Sequence, residues 1–519
     1  MAQNRRLVGA AIGLGVVLLL IVIVKLSRPI FAEHHEIQTS AAASSKGRIV
    51  IGMDNFVGYF PLCSPLMQAR MLADGYTLEC RDDQAKYATR YNSLKTGELT
   101  LAVGTVDSYE EYGRVHGYPA TISFVIDRSR GADAIVANSA AVTNLDGLKT
   151  NLNIKVALTS ESPSDYLLKA IAVDFDIPLL RNRAGAWRVP TDGSNEALKR
   201  LVAGDAHVAV LWEPDVTKAL ALPGMVKLIG TDQTDKLIND VLLVNRDFGR
   251  DHPDVVKIVL ANYGKTLAYY TDHKAELRQA VAKYANVTGE QADIMLRGIQ
   301  WYTLTENATE WFGLGNAGSG IPSFGIVDVI NATAKVLTDY YGLTSSPLPN
   351  NGDARLIFNS TFVGALYADE ALKTAAAQAN IDSLARPFSP LSETAWANLK
   401  PVGTLKVRPI VFQSGNNQLT LAGKQQIDET VETLRTFSGY RIRVEGHTKP
   451  GGDETANKDL STERAEAVAR YLQVTYNIDP NRIRVVGFGS KRPLTQAQGE
   501  SYSTYTGRLP RVDLLLLTE

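Results

Sequence analysis

The chain opens with one continuous apolar stretch and then changes to short apolar runs separated by polar residues. From Leu7 to Val24 every residue is apolar or glycine, and at about 1.5 Å per residue such a helix just crosses a bilayer. Ile30-Phe31-Ala32 is a weak cleavage site, so residues 1–32 predict an uncleaved transmembrane anchor with a short cytoplasmic tip. Residues 33–46 lack apolar periodicity and predict a flexible stalk.

Beyond the stalk, runs rich in β-branched residues alternate with helical periodicity. Four runs predict buried strands of a doubly wound α/β domain: Arg48–Met53, Leu99–Val103, Ile154–Leu158 and His207–Leu211. From residue 253 to residue 342 the periodicity is mainly helical. A Pro- and Asn-containing break at residues 345–352 follows. We therefore expect one domain over residues 47–342 and a connector over residues 343–401.

The end of the chain, residues 402–519, predicts a separate α+β domain. Apolar and alternating segments predict strands over residues 405–412, 440–446, 483–486 and 511–517. Amphipathic segments predict a long helix over residues 422–437 and a second helix from Ser461 through Leu472.

Composition and motifs limit the functions to consider. The 519 residues include 54 Lys and Arg against 55 Asp and Glu, without a dense basic run, so nucleic acid is not an expected partner. Cys63 and Cys80 lack the Cys/His spacing of a metal site; they predict either one disulfide or two buried thiols. Metalloprotease, P-loop, nucleophile-elbow and kinase motifs are absent from the sequence. We therefore predict a protein that is not an enzyme and needs no metal or cofactor.

Three phrases carry a family resemblance for residues 47–342. They are residues 94–99 leading to Gly104-Thr105, residues 131–136 followed by 145–149, and the segment AGDAHVAVLWEP at residues 203–214. In this order and spacing they resemble the ABC-transporter substrate-binding proteins of the nitrate, taurine and thiamine-precursor group. The resemblance implies a two-lobed Venus-flytrap fold that encloses a small solute.

Candidate ligand-binding residues follow from the predicted strands. Open α/β sheets bind ligands beyond the carboxyl ends of their strands, where loops lead into helix N-termini. The candidates are Asp54, Asn55, Asp107, Arg128, Ser129, Ser160, Ser162, Trp212 and Glu213. Hydroxyls and free N–H groups in residues 159–165, with an arginine clamp, predict a small anionic ligand. Ordinary helix capping by Ser162 or Ser164 and a core position for Trp212 are the structural alternatives.

A second resemblance covers residues 402–519. Gly446-His447-Thr448, Leu460–Ala465 and Gly487-Phe488-Gly489 resemble the OmpA C-terminal family. Its members bind peptidoglycan through diaminopimelate: an Asp after Gly-His-Thr takes the ammonium, and the Arg of Leu-Ser-x-x-Arg-Ala takes the carboxylate. The resemblance implies peptidoglycan-binding positions at Lys449, Asp453, Asn457, Arg464 and Arg511.

One of these positions departs from the family pattern. Arg464 fits the carboxylate role, but Lys449 stands where the family has Asp, and two ammonium groups repel each other. Either Asp453 replaces the missing carboxylate, or Lys449 and Arg464 form an anion site for a different group. A third alternative is an OmpA-like fold that contacts proteins and does not bind the cell wall.

Together the segments predict a single-pass protein of the bacterial inner membrane with most of its chain in the periplasm. It would bind a small anionic or organic solute between its lobes and dock on peptidoglycan as an envelope sensor or scaffold. Attachment at both membrane and wall restricts diffusion, which favours sensing over bulk transport. The alternatives are a solute-binding component that delivers to an ABC permease, and a structural scaffold that binds other envelope proteins without a small ligand.

Overall fold

The computed structural model describes residues 46–234, 237–314, 325–368, 388–413, 416–476 and 478–519. These residues build three separate β-sheets with their covering helices. The predicted anchor, and the predicted stalk up to residue 45, lie outside the described residues. Within the part of the chain that the structure describes, no helix combines the length and the apolar character needed to span a bilayer.

The first lobe is built on a six-stranded mixed sheet. Its strands are β1 (Gly47–Met53), β2 (Tyr76–Asp82), β3 (Leu101–Thr105), β4 (Ala120–Ser129), β10 (Asn239–Asn245) and β11 (Ile299–Trp301). They lie in the order β11-β4-β10-β3-β1-β2. β1 runs parallel to β2 and β3, whereas β10 runs antiparallel to β3 and β4. β1 and β3 are almost entirely buried, as their apolar runs predicted.

The second lobe has a five-stranded sheet. Its strands are β5 (Asp133–Asn138), β6 (Val156–Thr159), β7 (Arg188–Thr191), β8 (Val208–Trp212) and β9 (Met225–Gly230). They lie in the order β7-β6-β8-β5-β9. β6 pairs in parallel with β7 and β8, and β5 pairs antiparallel with β8 and β9.

Helices cover both sheets. Those of the first lobe are Phe60–Cys63, Pro65–Ala73, Tyr87–Thr96, Val106–Ser108, Arg246–Asp251, Pro253–Asp272, Lys274–Ala285, Gly289–Arg297, Leu304–Glu306, Gly325–Tyr341, Pro349–Gly352 and Thr361–Ala368. Those of the second lobe are Gly147–Thr150, Pro163–Asp174, Pro178–Arg181, Ser194–Ala203 and Asp215–Leu220.

Among the described residues, the two lobes are connected at three places. Two are the segments that join β4 to β5 and β9 to β10, and the Ser129 and Thr231 hydroxyls link these segments at 2.6 Å. The third is the helix Gly325–Tyr341, which buries Ile330 in the first core and Leu337 in the second. The predicted two-lobed α/β architecture is therefore confirmed.

The first lobe extends past the predicted boundary at residue 342. In the helix Thr361–Ala368, Phe362, Val363 and Leu366 are buried in the first core, and Phe358 forms a bridge with Ile122 of β4. Because this apolar surface is removed from water only by packing on the lobe, residues up to 368 belong to it. The predicted connector over residues 343–401 therefore begins too early.

The C-terminal domain has a four-stranded sheet. Its strands β12 (Lys400–Thr404), β13 (Arg441–His447), β14 (Ile483–Gly487) and β15 (Arg511–Thr518) lie in the order β12-β15-β13-β14. Its helices are Glu393–Asn398, Leu421–Thr436, Glu454–Tyr476 and Tyr502–Gly507.

Two of its predicted elements are displaced. The strand predicted over residues 405–412 lies one segment earlier, at β12, because the Lys406 N–H donates to the Asp174 carbonyl of the second lobe and Pro409 has no N–H for a ladder. The helix predicted from Ser461 begins at Glu454, where the Asp453 carboxylate accepts from the Ala456 N–H at 2.8 Å.

A disulfide joins Cys63 to Cys80, which decides between the two alternatives for these cysteines. It connects the short helix Phe60–Cys63 to β2. A bond closing a loop of 17 residues restricts the unfolded chain, and we expect reduction to lower the free energy of unfolding by about 3 kcal/mol. Urea unfolding with and without reductant measures this. The Cys63→Ser/Cys80→Ser variant should be less stable and insensitive to reductant; an unchanged midpoint would contradict the prediction.

Candidate functional site

The cleft between the two lobes contains a small inner pocket. Its volume is about 20 Å³, enough for roughly one water-sized group. Both lobes supply its walls. The lining residues are Asp54, Phe56, Tyr59, Ala85, Tyr87, Asp133, Pro163, Trp212, Ile238 and Asp240.

A wider outer cavity of about 410 Å³ adjoins the inner pocket. The first lobe lines it with residues 84–86, 88 and 89, and the second lobe with residues 159–161, 190–192 and 196. Ala85 lines both spaces. The cleft therefore has a narrow inner end and a roomier mouth, which suits a ligand with one small head group.

Three carboxylates line the inner pocket. Asp54 follows β1 and accepts from Arg90 Nη2 at 3.0 Å and from the Tyr87 hydroxyl at 3.1 Å. Asp133 opens β5, directly opposite Trp212 of β8. Asp240 lies in β10 and accepts a short hydrogen bond from the Tyr59 hydroxyl. Among the described residues, Asp54 alone of the three forms an ion pair.

Aromatic rings provide most of the remaining wall. Phe56 and Tyr59 pack edge to face with centroids 5.3 Å apart, and Tyr87 and Trp212 complete the lining. Lys, Arg and His are absent from the described lining. Ring faces carry partial negative charge and attract cations. The rings and the carboxylates of this pocket therefore both favour a positively charged ligand.

Burial changes the protonation of this region. It raises the pKa of Asp133 to about 7, with a further contribution from Glu213. It also raises the pKa of Asp240 and of Asp127, which lie directly opposite each other on β10 and β4, and their mutual repulsion raises the Asp240 pKa further. The inner pocket and its surroundings therefore gather several carboxyl groups whose charged forms are disfavoured by burial and by one another.

The structure brings three of the predicted ligand-binding residues to the cleft. Asp54 and Trp212 line the inner pocket, and Ser160 lines the outer cavity. Asn55 is exposed and outside both linings. Asp107 is buried within the first lobe, where burial raises its pKa to about 7.

The other four predicted residues have structural roles outside both linings. Arg128 donates to Gln300 at 3.1 Å, and Ser129 binds Thr231 where the chain passes between lobes. Ser162 caps the helix Pro163–Asp174 by accepting from the Ser164 N–H, and Glu213 accepts from the Thr217 N–H. The capping alternative for Ser162 is therefore the one observed.

Sequence reasoning missed Tyr59, Tyr87, Asp133 and Asp240. A signal for the two acids was available: each is the single charged residue of a strand rich in apolar residues, Asp133 in DAIVAN and Asp240 in NDVLLVN. A charge in a strand that is buried along its length is rare unless it serves a site. The tyrosines carried no comparable signal.

In the C-terminal domain Arg464 occupies a sheltered position. Its Nε donates to the Asn416 carbonyl at 3.1 Å, its guanidinium lies 5.2 Å from the Phe412 ring centre, and partial burial lowers its pKa. An acidic partner for Arg464 is absent among the described residues. The Thr448 hydroxyl is buried without a hydrogen-bond partner in the described structure. The described residues therefore do not use the full hydrogen-bonding capacity of either group.

The other predicted wall-binding residues are arranged differently. Lys449 is exposed. Asp453 caps the helix Glu454–Tyr476, and the Asn457 amide donates to the Gly451 carbonyl at 2.7 Å. Arg511 binds the Asp513 carboxylate at 2.9 Å. Since Asp453 is already used as a cap, the structure gives no support to its replacing the missing family carboxylate.

Residues 411–504 match the model of the OmpA family. The C-terminal domain is an OmpA domain. It is 32% identical over 99 residues to the peptidoglycan-associated lipoprotein of Legionella pneumophila, covering 17% of this chain and 56% of that protein. It is 28% identical over 118 residues to outer membrane porin F of Pseudomonas aeruginosa, covering 22% of this chain and 33% of that one. The chain thus spans a third to about half of the length of these curated relatives.

The two lobes match solved structures of solute-binding proteins. The alkanesulfonate-binding protein SsuA of Xanthomonas axonopodis pv. citri, bound to MOPS, is 14% identical with a TM-score of 0.46, covering 61% of this chain and 99% of that one. SsuA of Escherichia coli is 15% identical with a TM-score of 0.46, covering 60% and 98%. The desulfurization enzyme DszB also matches, at 10% identity and a TM-score of 0.42, covering 62% and 98%.

Proposed function

We propose that this protein is anchored in the bacterial inner membrane by residues 7–24, binds a small cationic solute between its two periplasmic lobes, and attaches to peptidoglycan through its OmpA domain. The observation that carries the proposal is the inner pocket lined by carboxylates and aromatic rings. The Cys63–Cys80 disulfide supports an oxidising compartment, and the OmpA domain supports the cell envelope.

The charge of the proposed ligand is opposite to the sequence prediction. The described lining of the inner pocket offers an anion no Lys, Arg or His, and each of its carboxyl groups that is ionised would repel it. A primary ammonium group suits the inner pocket better, because it is about the size of water and donates three hydrogen bonds to carboxylates. The remainder of the solute would lie in the outer cavity beside Glu161 and Glu196.

Sensing or scaffolding is the role that we infer for this binding. A protein attached to both membrane and wall diffuses too little to act as a transport shuttle. Occupancy of the cleft would then report on a solute at a fixed place in the envelope. This part of the proposal rests on the anchor as well as on the OmpA domain.

Thermal unfolding of residues 46–519 with a panel of solutes tests the ligand class. Primary amines such as putrescine, cadaverine and glucosamine should raise the melting temperature, since a ligand that binds only the folded state stabilises it. Nitrate and methanesulfonate at equal ionic strength should not. The Asp133→Asn variant should lose the amine effect. Stabilisation by the anions alone would overturn the proposal.

Amine binding should also strengthen with pH. Asp133 must be ionised to pair with an ammonium group, and its pKa is about 7. Because the proton competes with the ligand, the dissociation constant measured by calorimetry should fall by up to about tenfold per pH unit between pH 5 and 7, and level off above pH 8. Any weak amine binding that Asp133→Asn retains should not vary with pH over this range. Tighter binding at pH 5.5 than at pH 8 would contradict the assignment.

A further inference from the structure

The OmpA domain packs directly on the second lobe. The Leu145 N–H donates to the Val402 carbonyl at 3.1 Å, and Lys149 Nζ donates to the Thr404 carbonyl at 3.1 Å. Lys406 Nζ pairs with the Asp176 carboxylate at 2.9 Å. β12 is therefore bonded both to its own sheet and to the neighbouring lobe.

Side chains of the two units form one continuous core. The rings of Phe175 and Phe437 pack edge to face with centroids 5.4 Å apart, in a buried cluster that also contains Leu145 and Val402. A Cβ atom at Gly403 would lie 2.8 Å from the Phe175 ring, so the backbone approaches that ring closely. By contrast, the described core of the first lobe contains no residue of the OmpA domain.

The OmpA domain also contacts the segment that links β9 to β10. The Gly439 N–H donates to the Gln233 carbonyl at 2.8 Å, and the Tyr440 hydroxyl donates to the Gly230 carbonyl at 3.3 Å. Gln233 Nε2 in turn donates to the Thr518 hydroxyl at 2.9 Å. A Cβ atom at Gly439 would lie 2.6 Å from the Gln233 Cα. This segment is one of the three connections on which any movement between lobes depends.

We propose that the second lobe and the OmpA domain move as one rigid body, and that the OmpA domain restrains residues 230–234, where the chain leaves β9, and so sets the equilibrium between open and closed clefts. The first lobe is then the part that moves. The chain enters it from the N-terminal side at β1, so cleft closure changes the position of the N-terminal end relative to the OmpA domain. The rigid-body claim goes beyond the proposed function and is independent of which solute binds.

Spin-label distances on residues 46–519 test the rigid body. Cys63 and Cys80 are bonded to each other, so introduced cysteines label selectively. Val202 of the second lobe and Val474 of the OmpA domain are 55% and 79% exposed. A pair of labels at these positions should give one narrow distance distribution. A broad or multiple distribution in the wild-type background would overturn the rigid-body claim.

A second label pair tests the restraint on the connecting segment. Val115 of the first lobe is 72% exposed, and labels at Val115 and Val202 report the separation of the lobes. Gly439→Ala, which introduces the close contact with Gln233, should shift or broaden this distribution although neither label lies in the OmpA domain. Gly507→Ala is the matched control, because a Cβ atom there meets open space, and it should leave the distribution unchanged.

Tyr440→Phe is a second variant that tests the same restraint if Gly439→Ala does not fold. It removes the bond to the Gly230 carbonyl and retains the ring. Its Val115–Val202 distribution should also differ from wild type, while its Val202–Val474 distribution stays narrow. A Val115–Val202 distribution equal to wild type in the folded variants would overturn the restraint. Failure of every amine to bind would overturn the proposed ligand class and leave these distances as expected.

Discussion

Replacing Arg90 with Met is expected to destabilise the protein by roughly 3 to 5 kcal/mol. The Arg90 side chain is fully buried and pairs with Asp54 at 3.0 Å and Asp83 at 2.5 Å. Its Nη1 also donates to the Val103 carbonyl at 2.9 Å. Methionine fills similar volume but leaves Asp54 as an uncompensated charge beside the other acids of the inner pocket, and such a charge is costly in a buried site.

Urea unfolding of residues 46–519 at pH 7.5 measures this loss. Arg200→Met is the matched control, because Arg200 also pairs with two carboxylates, those of Glu196 and Asp205, but its side chain is 45% exposed. Exposed ion pairs contribute little, so the control should stay within about 1 kcal/mol of wild type. Equal losses in both variants would show that burial does not strengthen the Arg90 pairs.

The strands of the two lobes were predictable because burial on both faces leaves a continuous apolar run. β1 and β8 are such strands. The same reasoning misplaced the first strand of the OmpA domain, because pairing with β15 continues only to Leu405, whose N–H donates to the Leu514 carbonyl. Lys406 bonds to the second lobe, and a local pattern contains no information about which distant surface it will meet.

The sequence predicted only those residues of the candidate site that lie at or just beyond the carboxyl end of a strand. Asp54 and Trp212 satisfy that rule and line the pocket. Asp133 and Asp240 reach it from within β5 and β10, which the rule does not search. The anion predicted from the hydroxyls of residues 159–165 stays a prediction: the Ser162 hydroxyl is used as a cap, whereas the buried Thr159 and Ser164 hydroxyls have no hydrogen-bond partner in the described structure. Whether a polar group is free for a ligand depends on its local partners, which spacing alone does not determine.

For the OmpA domain, we expect Lys449→Asp to increase affinity for diaminopimelate-containing peptidoglycan. Lys449 is exposed at the position of the family's ammonium acceptor. Arg464, without an acidic partner among the described residues, and the unpartnered Thr448 hydroxyl remain able to bind the rest of the ligand. Replacing like charge with opposite charge is worth roughly 2 to 5 kcal/mol at such a contact, which corresponds to a gain of about 30-fold or more in affinity.

Sedimentation of residues 46–519 with purified peptidoglycan measures the change. Lys424→Asp makes the same charge change at another exposed lysine of the OmpA domain and should not increase binding. The double variant Lys449→Asp/Arg464→Ala should lose the gain in affinity, because the diaminopimelate carboxylate then has no bidentate guanidinium partner. The opposite result is that the wild-type protein sediments with peptidoglycan and Lys449→Asp sediments less. Lys449 would then contribute to binding directly. The Lys449 and Arg464 cations would then recognise an anionic wall group, which is the alternative that the sequence left open.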